Sequence, residues 1–158
     1  KAIRLAPEDT IAAFDVVEPD GELLVVSELG FGKRSPMSEF PPHGRNSQGV
    51  WALDHQRIEE TGKVAAARVV HPDDQVSIMT SNGIIIRTLV KDIRQAGRAT
   101  KGVKVVTPGN GDTVKAMARL SAVVEEKADA EAKADADASV THEEVEEDNG
   151  QVAEASVT

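Results

Sequence analysis

The sequence predicts an all-β fold built from two repeated units, and two observations support this prediction. First, residues 22–53 align without a gap on residues 75–106, at an offset of 53 residues. Second, each unit contains short β-branched runs bounded by glycine, asparagine, aspartate or proline. About four such strands in every ~50 residues indicate two four-stranded blades of a propeller-like fold, and a β-solenoid is the alternative repeat architecture.

The repeated unit extends over most of this period. Identical residues recur in both copies, namely Gly30 with Gly83, Arg34 with Arg87, Gly44-Arg45 with Gly97-Arg98, and Gly49-Val50 with Gly102-Val103. Residues 11–17 also resemble residues 64–70, so the units span about 11–53 and 64–106. A third, incomplete copy follows, and it predicts an extra closing strand over residues 114–120.

The second unit shows the strand pattern most clearly. Strands are predicted over residues 63–70, 75–80, 84–89 and 103–106. Asn82-Gly83 predicts a type I′ hairpin turn, because both residues tolerate positive φ. Apolar residues of these period-two segments should be buried. The predicted core consists of Val16, Leu24, Val26, Val50, Val69, Ile78, Ile85 and Val103.

Charge divides the chain into two parts. Residues 1–120 carry 16 basic and 15 acidic side chains, a net charge of +1, whereas residues 121–158 carry 2 and 12, a net charge of −10. The second part is rich in alanine and like charge but poor in bulky apolar residues, which predicts a disordered acidic tail. The acidic pI therefore describes the tail, and residues 1–120 can still present a basic binding surface.

Several kinds of chemistry find no support in the sequence. The four histidines lack the spacing of metal ligands, and the chain has no cysteine for a disulfide or a thiolate site. Thr100-Lys101-Gly102 lacks the residue order of a phosphate-binding P-loop. No apolar run approaches the ~20 residues of a membrane-spanning helix. These observations favour a binding module over an enzyme.

The loops carry a recognisable signature. Residues 30–40 running into residues 44–50, and residues 83–88 with 93–103, resemble the blade signature found in the A subunit of bacterial DNA gyrase. The resemblance implies the last blades of a six-bladed β-pinwheel whose outer rim wraps DNA. The family's glutamine-leading, arginine- and glycine-rich box is replaced here by degenerate counterparts at His43–Gly49 and Ala96–Gly102. The A subunit of topoisomerase IV is the alternative within the same group of proteins.

The resemblance also implies a cellular setting. Gyrase is an ATP-dependent type II topoisomerase that introduces negative supercoils, with two A and two B subunits, in the cytoplasm at the nucleoid. Its catalytic tyrosine and its ATP and magnesium sites lie outside this region, and this chain contains no tyrosine. The implied partners are double-stranded DNA, the rest of the A chain of gyrase, and the gyrase B chain, with no cofactor in this chain.

Basic residues of the loops are the candidates for phosphate contact, since cations beside glycine can approach the DNA backbone closely and release its counterions. The predicted set is Lys33, Arg34, Arg45, Arg87, Arg94, Arg98 and Lys101, with Lys91 and Lys104 as further candidates on the same rim. The alternative is that these are solvated loop charges, or that the arginines pair with Glu39 and Asp92. A protein-interaction scaffold with the same blades is the competing function.

The acidic tail has two interpretations. It either keeps the protein soluble or competes with DNA for the basic rim. The charge difference between the two parts of the chain makes this competition testable.

Overall fold

The computed structural model describes residues 3–120, so the predictions for the acidic tail lie outside the described residues. The strands are β1 (Glu22–Ser27), β2 (Phe31–Pro36), β3 (Val64–Val70), β4 (Gln75–Thr80), β5 (Ile85–Leu89), β6 (Val103–Lys104) and β7 (Val114–Leu120). One short helix, α1 (Ile58–Thr61), and three 3-10 turns (Met37–Glu39, His55–Arg57 and Val90–Asp92) complete the elements of this part of the chain. The predicted all-β fold class is confirmed, and the strands predicted for the second unit are present.

The strands form two antiparallel sheets that do not coincide with the sequence repeats. The first sheet has the order β3-β1-β2-β6 and the second the order β5-β4-β7. In each sheet the central hairpin comes from one repeat unit, and the flanking strands come from the next. Thus β3 pairs with β1 rather than with β4, and β7 pairs with β4 in the same way. Neighbouring units are therefore interlocked by shared strands.

Both central hairpins turn through a glycine in the left-handed region. Gly30 and Gly83 each have a φ of 82°, and their N–H groups donate to the carbonyls of Ser27 and Thr80 at 2.9 and 3.0 Å. Asn82 does not share the positive φ that a type I′ turn requires, so that prediction is wrong. The glycine alone takes the left-handed conformation, which suits a repeat in which Leu29 occupies the position of Asn82.

The two sheets pack on one hydrophobic core. Fully buried residues come from both sheets, including Leu24, Val26 and Val70 from the first and Val76 and Ile78 from the second. Burying each such side chain contributes about 1.5–3 kcal/mol. The core predictions for Leu24, Val26, Val69 and Ile78 are confirmed, and Val103 is partly buried.

Three of the predicted core residues are instead exposed. Val16, Val50 and Ile85 are 68%, 39% and 61% exposed. Val16 and Val50 correspond in the repeat to Val69 in β3 and Val103 in β6, strands that pair with the preceding unit. Residues 3–120 contain no preceding sheet for them, and Ile85 lies on β5, an edge strand of the second sheet. The prediction assumed that each unit buries its own apolar residues. In the structure, apolar residues are buried where strands of one unit pair with the preceding unit.

The segment between the two units forms a short helical turn that the sequence pattern did not indicate. Asp54 accepts a hydrogen bond from the N–H of Gln56 at 3.0 Å, and α1 follows directly. Thr61 at its end is fully buried and donates to the carbonyl of Arg57 at 3.1 Å. No helix among the described residues is long and apolar enough to cross a membrane.

Candidate nucleic-acid interface

The loop between β5 and β6 folds back onto β2 of the first unit. Arg34 donates its N–H to the carbonyl of Arg94 at 3.1 Å, and Ala96 donates to the carbonyl of Arg34 at 2.9 Å. At the end of the loop, Gly102 has a φ of 77°, and a Cβ there would lie 2.4 Å from the carbonyl oxygen of Gly32. Only glycine allows this approach. The loop therefore packs against β2 through backbone contacts.

Lys33 is the most deeply buried member of the predicted DNA-binding set. Its side chain is fully buried, and Nζ donates to the carbonyls of Gly97, Arg98 and Thr100 at 2.8, 2.5 and 2.6 Å. These three acceptors use the three N–H donors of an ammonium group. The prediction of a phosphate contact for Lys33 therefore needs correction, because the ammonium is enclosed by the loop.

Arg34 is also occupied within the protein. Its guanidinium donates to Glu22 Oε2 at 2.5 Å and to the carbonyl of Ile93 at 2.6 Å, and the side chain is 13% exposed. Gln95 donates to the other oxygen of Glu22 at 2.5 Å. The alternative prediction that arginines pair with carboxylates holds for Arg34, but the partner is Glu22 rather than Glu39.

Arg98 and Lys101 lie at the loop surface and are partly buried. The N–H of Arg98 donates to Glu39 Oε2 at 2.5 Å, while its guanidinium donates to the carbonyl of Trp51 at 2.8 Å. Lys101 pairs with Glu60 of α1 at 2.9 Å. That ion pair is exposed to solvent and therefore weak, so a phosphate can displace the carboxylate at small cost.

An aromatic ring brings two ammonium groups together beside this loop. Lys104 Nζ lies 4.6 Å and Lys101 Nζ 5.5 Å from the centroid of Phe31. Arg94, which is exposed, lines with Lys101 a shallow cavity of about 200 Å³. We call the set Arg94, Arg98, Lys101 and Lys104 the basic loop cluster.

The remaining predicted cations lie on other segments. Arg45 is exposed on the first-unit loop, and Arg87 is exposed on β5 of the other sheet. Lys91 is exposed on the 3-10 turn after β5, where its N–H donates to the carbonyl of Pro72 at 3.1 Å. The structure therefore places Arg94, Arg98 and Lys101 of the predicted set on one loop, whereas Arg45 and Arg87 lie on other segments.

Two members of this environment were missed by sequence reasoning. Phe31 stands between the glycines of the first hairpin, and nothing in its spacing indicates that two lysines of the next unit meet over it. Glu60 belongs to α1, which the pattern did not predict. Trp51, whose carbonyl accepts from Arg98, is 60% exposed and stacks on His55 with ring centroids 4.6 Å apart.

Comparison with known proteins decides the family. Residues 21–71 and 74–121 match the family described as DNA gyrase C-terminal domain, beta-propeller. The chain belongs to this DNA gyrase family. The resemblance predicted from the loop signature is confirmed.

Curated relatives include the A subunit of DNA gyrase from Mycobacterium leprae, which is 38% identical over 129 residues, 82% of this chain and 10% of that protein. Another is the A subunit of DNA gyrase from Thermotoga maritima, 38% identical over 120 residues, 75% of this chain and 15% of that protein. The chain thus spans only a small part of the length of these relatives.

Solved structures confirm the fold. A DNA gyrase A C-terminal domain superposes with a TM-score of 0.60 at 26% identity, covering 63% of this chain and 33% of that chain. The C-terminal domain of a DNA topoisomerase IV superposes with a TM-score of 0.69 at 21% identity, covering 77% and 38%. At that identity the second likeness is one of fold alone, whereas the relatives at 38% identity are gyrases.

Proposed function

We propose that this chain is a DNA-binding part of the gyrase A chain, and that the basic loop cluster contacts the phosphate backbone of double-stranded DNA. The observation that carries the proposal is that Lys101 and Lys104 lie over the same ring and that Lys101 and Arg94 line one cavity, with Arg98 on the same loop. A loop and strand that carry four cations, on a chain of this family, have the charge needed to bind the polyanionic backbone of DNA.

The chemistry of the cluster favours phosphate contact over base recognition. Arginine and lysine neutralise phosphates and release condensed counterions, a contribution that does not depend on base sequence. Lys101 and Lys104 cover the face of Phe31 and so reduce its availability for stacking on a base. Binding should therefore weaken steeply with salt and show little sequence preference.

The wider setting follows from the family and belongs to the same proposal. The chain would contribute to wrapping DNA around the gyrase A chain, within an assembly of two A and two B subunits that introduces negative supercoils with ATP hydrolysis. It would act in the cytoplasm, at the nucleoid. The DNA-breaking and ATP-hydrolysing groups would belong to other parts of that assembly.

A titration of the intact chain against two duplexes of equal length and unrelated sequence tests the proposal. We expect equal affinities and a linear fall of log K with log salt, with a slope of about −0.9 for each phosphate contacted. Salt-insensitive association with a protein, together with no duplex binding, would favour the scaffold alternative.

A further inference from the structure

We infer that Lys33 is a positioning residue, whose buried ammonium holds the loop of residues 97–101 in the conformation that presents Arg98 and Lys101 to DNA. This inference rests on the proposed function. It assigns to the one fully buried lysine of the described residues a role in binding without a contact to DNA.

The contacts of the ammonium determine the orientation of the loop. Three carbonyls from one short stretch, those of Gly97, Arg98 and Thr100, point inward at Nζ. In a trans peptide unit the N–H points opposite to the C=O. The N–H groups that follow the last two carbonyls, those of Ala99 and Lys101, therefore point away from Lys33, where they can donate to a phosphate on that side.

The repeat provides an internal comparison. Lys33 corresponds to Ile86 in the second unit, which is partly buried and packs against the core of its sheet. An apolar side chain thus occupies this position on β5, which is a sheet edge, whereas the lysine occupies it on β2, onto which the later loop docks. A residue needed only for the blade should recur in both units, and Lys33 does not.

Electrostatics support the same view. Burial lowers the pKa of Lys33 to about 8, an effect opposed by the nearby carboxylates of Glu39 and Asp54 and increased by Arg98. Because this pKa is below that of an exposed lysine, the ammonium costs folding free energy at neutral pH, and stability rises with pH between about 8 and 10.5. A buried charge that costs stability is characteristic of a functional position.

The test uses the full chain and the variant Lys33→Ile, which copies the second unit. Hydrogen exchange at the amides of Arg98 and Thr100, which donate to Glu39 and Gly97, should accelerate at least about tenfold. Exchange at Ile78 in β4, which belongs to the other sheet, should not change. Affinity for duplex DNA at low salt should fall about fivefold to tenfold. Lys115→Met, on β7, is the control for the loss of one positive charge.

Rescue separates the ammonium from packing effects. The chain contains no cysteine, so Lys33→Cys can be alkylated selectively in the unfolded state with 2-bromoethylamine, which restores a primary ammonium at nearly the original length. Alkylation with 1-iodopropane gives a neutral side chain of similar shape. We expect slow loop exchange and wild-type affinity to return only with the aminoethyl group.

The outcomes are distinguishable. Unchanged loop exchange in Lys33→Ile, or equal rescue by the propyl group, would overturn the inference. Faster loop exchange with unchanged affinity would show that the hydrogen bonds of Lys33 order the loop but do not serve DNA binding. That result would overturn the inference as well. If the wild-type chain itself binds no duplex, the proposed function fails and the DNA-binding role of Lys33 fails with it, whereas the exchange data still decide whether the ammonium orders the loop.

Discussion

Lys104 in β6 pairs directly with Phe31 in the adjacent strand β2, although the two residues belong to different repeat units. Its ammonium lies 4.6 Å from the centroid of the Phe31 ring and donates to the carbonyl of Leu29 at 2.8 Å. This pairing shows how the fold and the basic loop cluster depend on each other. The strand that interlocks the two units also carries the loop cations to the edge of the first sheet.

The interlocking predicts unequal effects of one substitution at equivalent glycines. Gly102 and Gly49 occupy the same repeat position with φ values of 77° and 75°, but only Gly102 has a backbone oxygen 2.4 Å from an added Cβ. Gly49→Ala should cost about 1 kcal/mol from backbone conformation alone. Gly102→Ala should cost about 3 kcal/mol or more, because β6 must shift away from β2. Urea unfolding of both variants measures the difference, and equal costs would contradict the described docking of the loop.

Removing loop arginines should weaken DNA binding without a large change in stability. Arg98→Ala should lower the salt slope by about 0.9 for the lost phosphate contact and weaken binding to all sequences alike. Within residues 3–120 its guanidinium donates to the carbonyl of the exposed Trp51, so little stability should be lost. Arg45→Ala tests the first-unit loop in the same way, and Lys115→Ala is the control. Unchanged affinity with a large fall in melting temperature would assign the arginine a structural role.

The acidic tail should compete with DNA. Deleting residues 121–158 removes a net charge of −10 from a folded part that carries +1. Affinity for a duplex should therefore rise at low salt, and the difference should largely disappear near ~1 M salt, where the screening length is only ~3 Å. Titrations of the intact and truncated chains at several salt concentrations measure the effect. Identical affinities at low salt would leave the tail as a solubility device.

Acid should destabilise the protein through Asp112. Burial raises the pKa of this carboxyl, but hydrogen bonds from the Ser81 hydroxyl and from the N–H groups of Asn82 and Thr113 outweigh that effect and lower the pKa to about 2. A depressed pKa means that the stabilisation is present above pH 3.8 and is lost as the pH falls through about 2. Thermal unfolding between pH 5 and 2 should show a smaller pH dependence for Asp112→Asn than for the wild type. The exposed Asp73→Asn is the control and should leave the wild-type dependence intact.

The strands could be predicted from the sequence, but their partners could not. The periodicity of residues 75–80 and the glycine in the hairpin turn, Gly83, identify β4 and β5, because these signals are local. Pairing of β3 with the preceding unit is a long-range contact, and no local pattern specifies it. For the same reason Val50 was expected in the core, although its sheet partner would belong to another unit.

The charged residues show the same limit. Lys33 and Lys101 are both basic residues next to a glycine in the repeated signature, and both were predicted to contact DNA. Docking of residues 97–101 onto β2 buries the first and leaves the second at the surface. Burial of a lysine by a segment more than sixty residues away cannot be predicted from spacing. The gathering of Arg94, Arg98, Lys101 and Lys104 was predicted only in that all four lie within one short basic segment of the chain.

The location of DNA on the surface is the most direct test of the central claim. Amide chemical-shift changes in the intact chain, measured while a short duplex is added at low salt, should be largest for the loop and strand carrying Arg94, Arg98, Lys101 and Lys104. They should disappear as salt is raised and should be the same for duplexes of unrelated sequence. Changes confined to the opposite sheet around β7, or no changes at a duplex concentration in excess of the protein, would contradict the account.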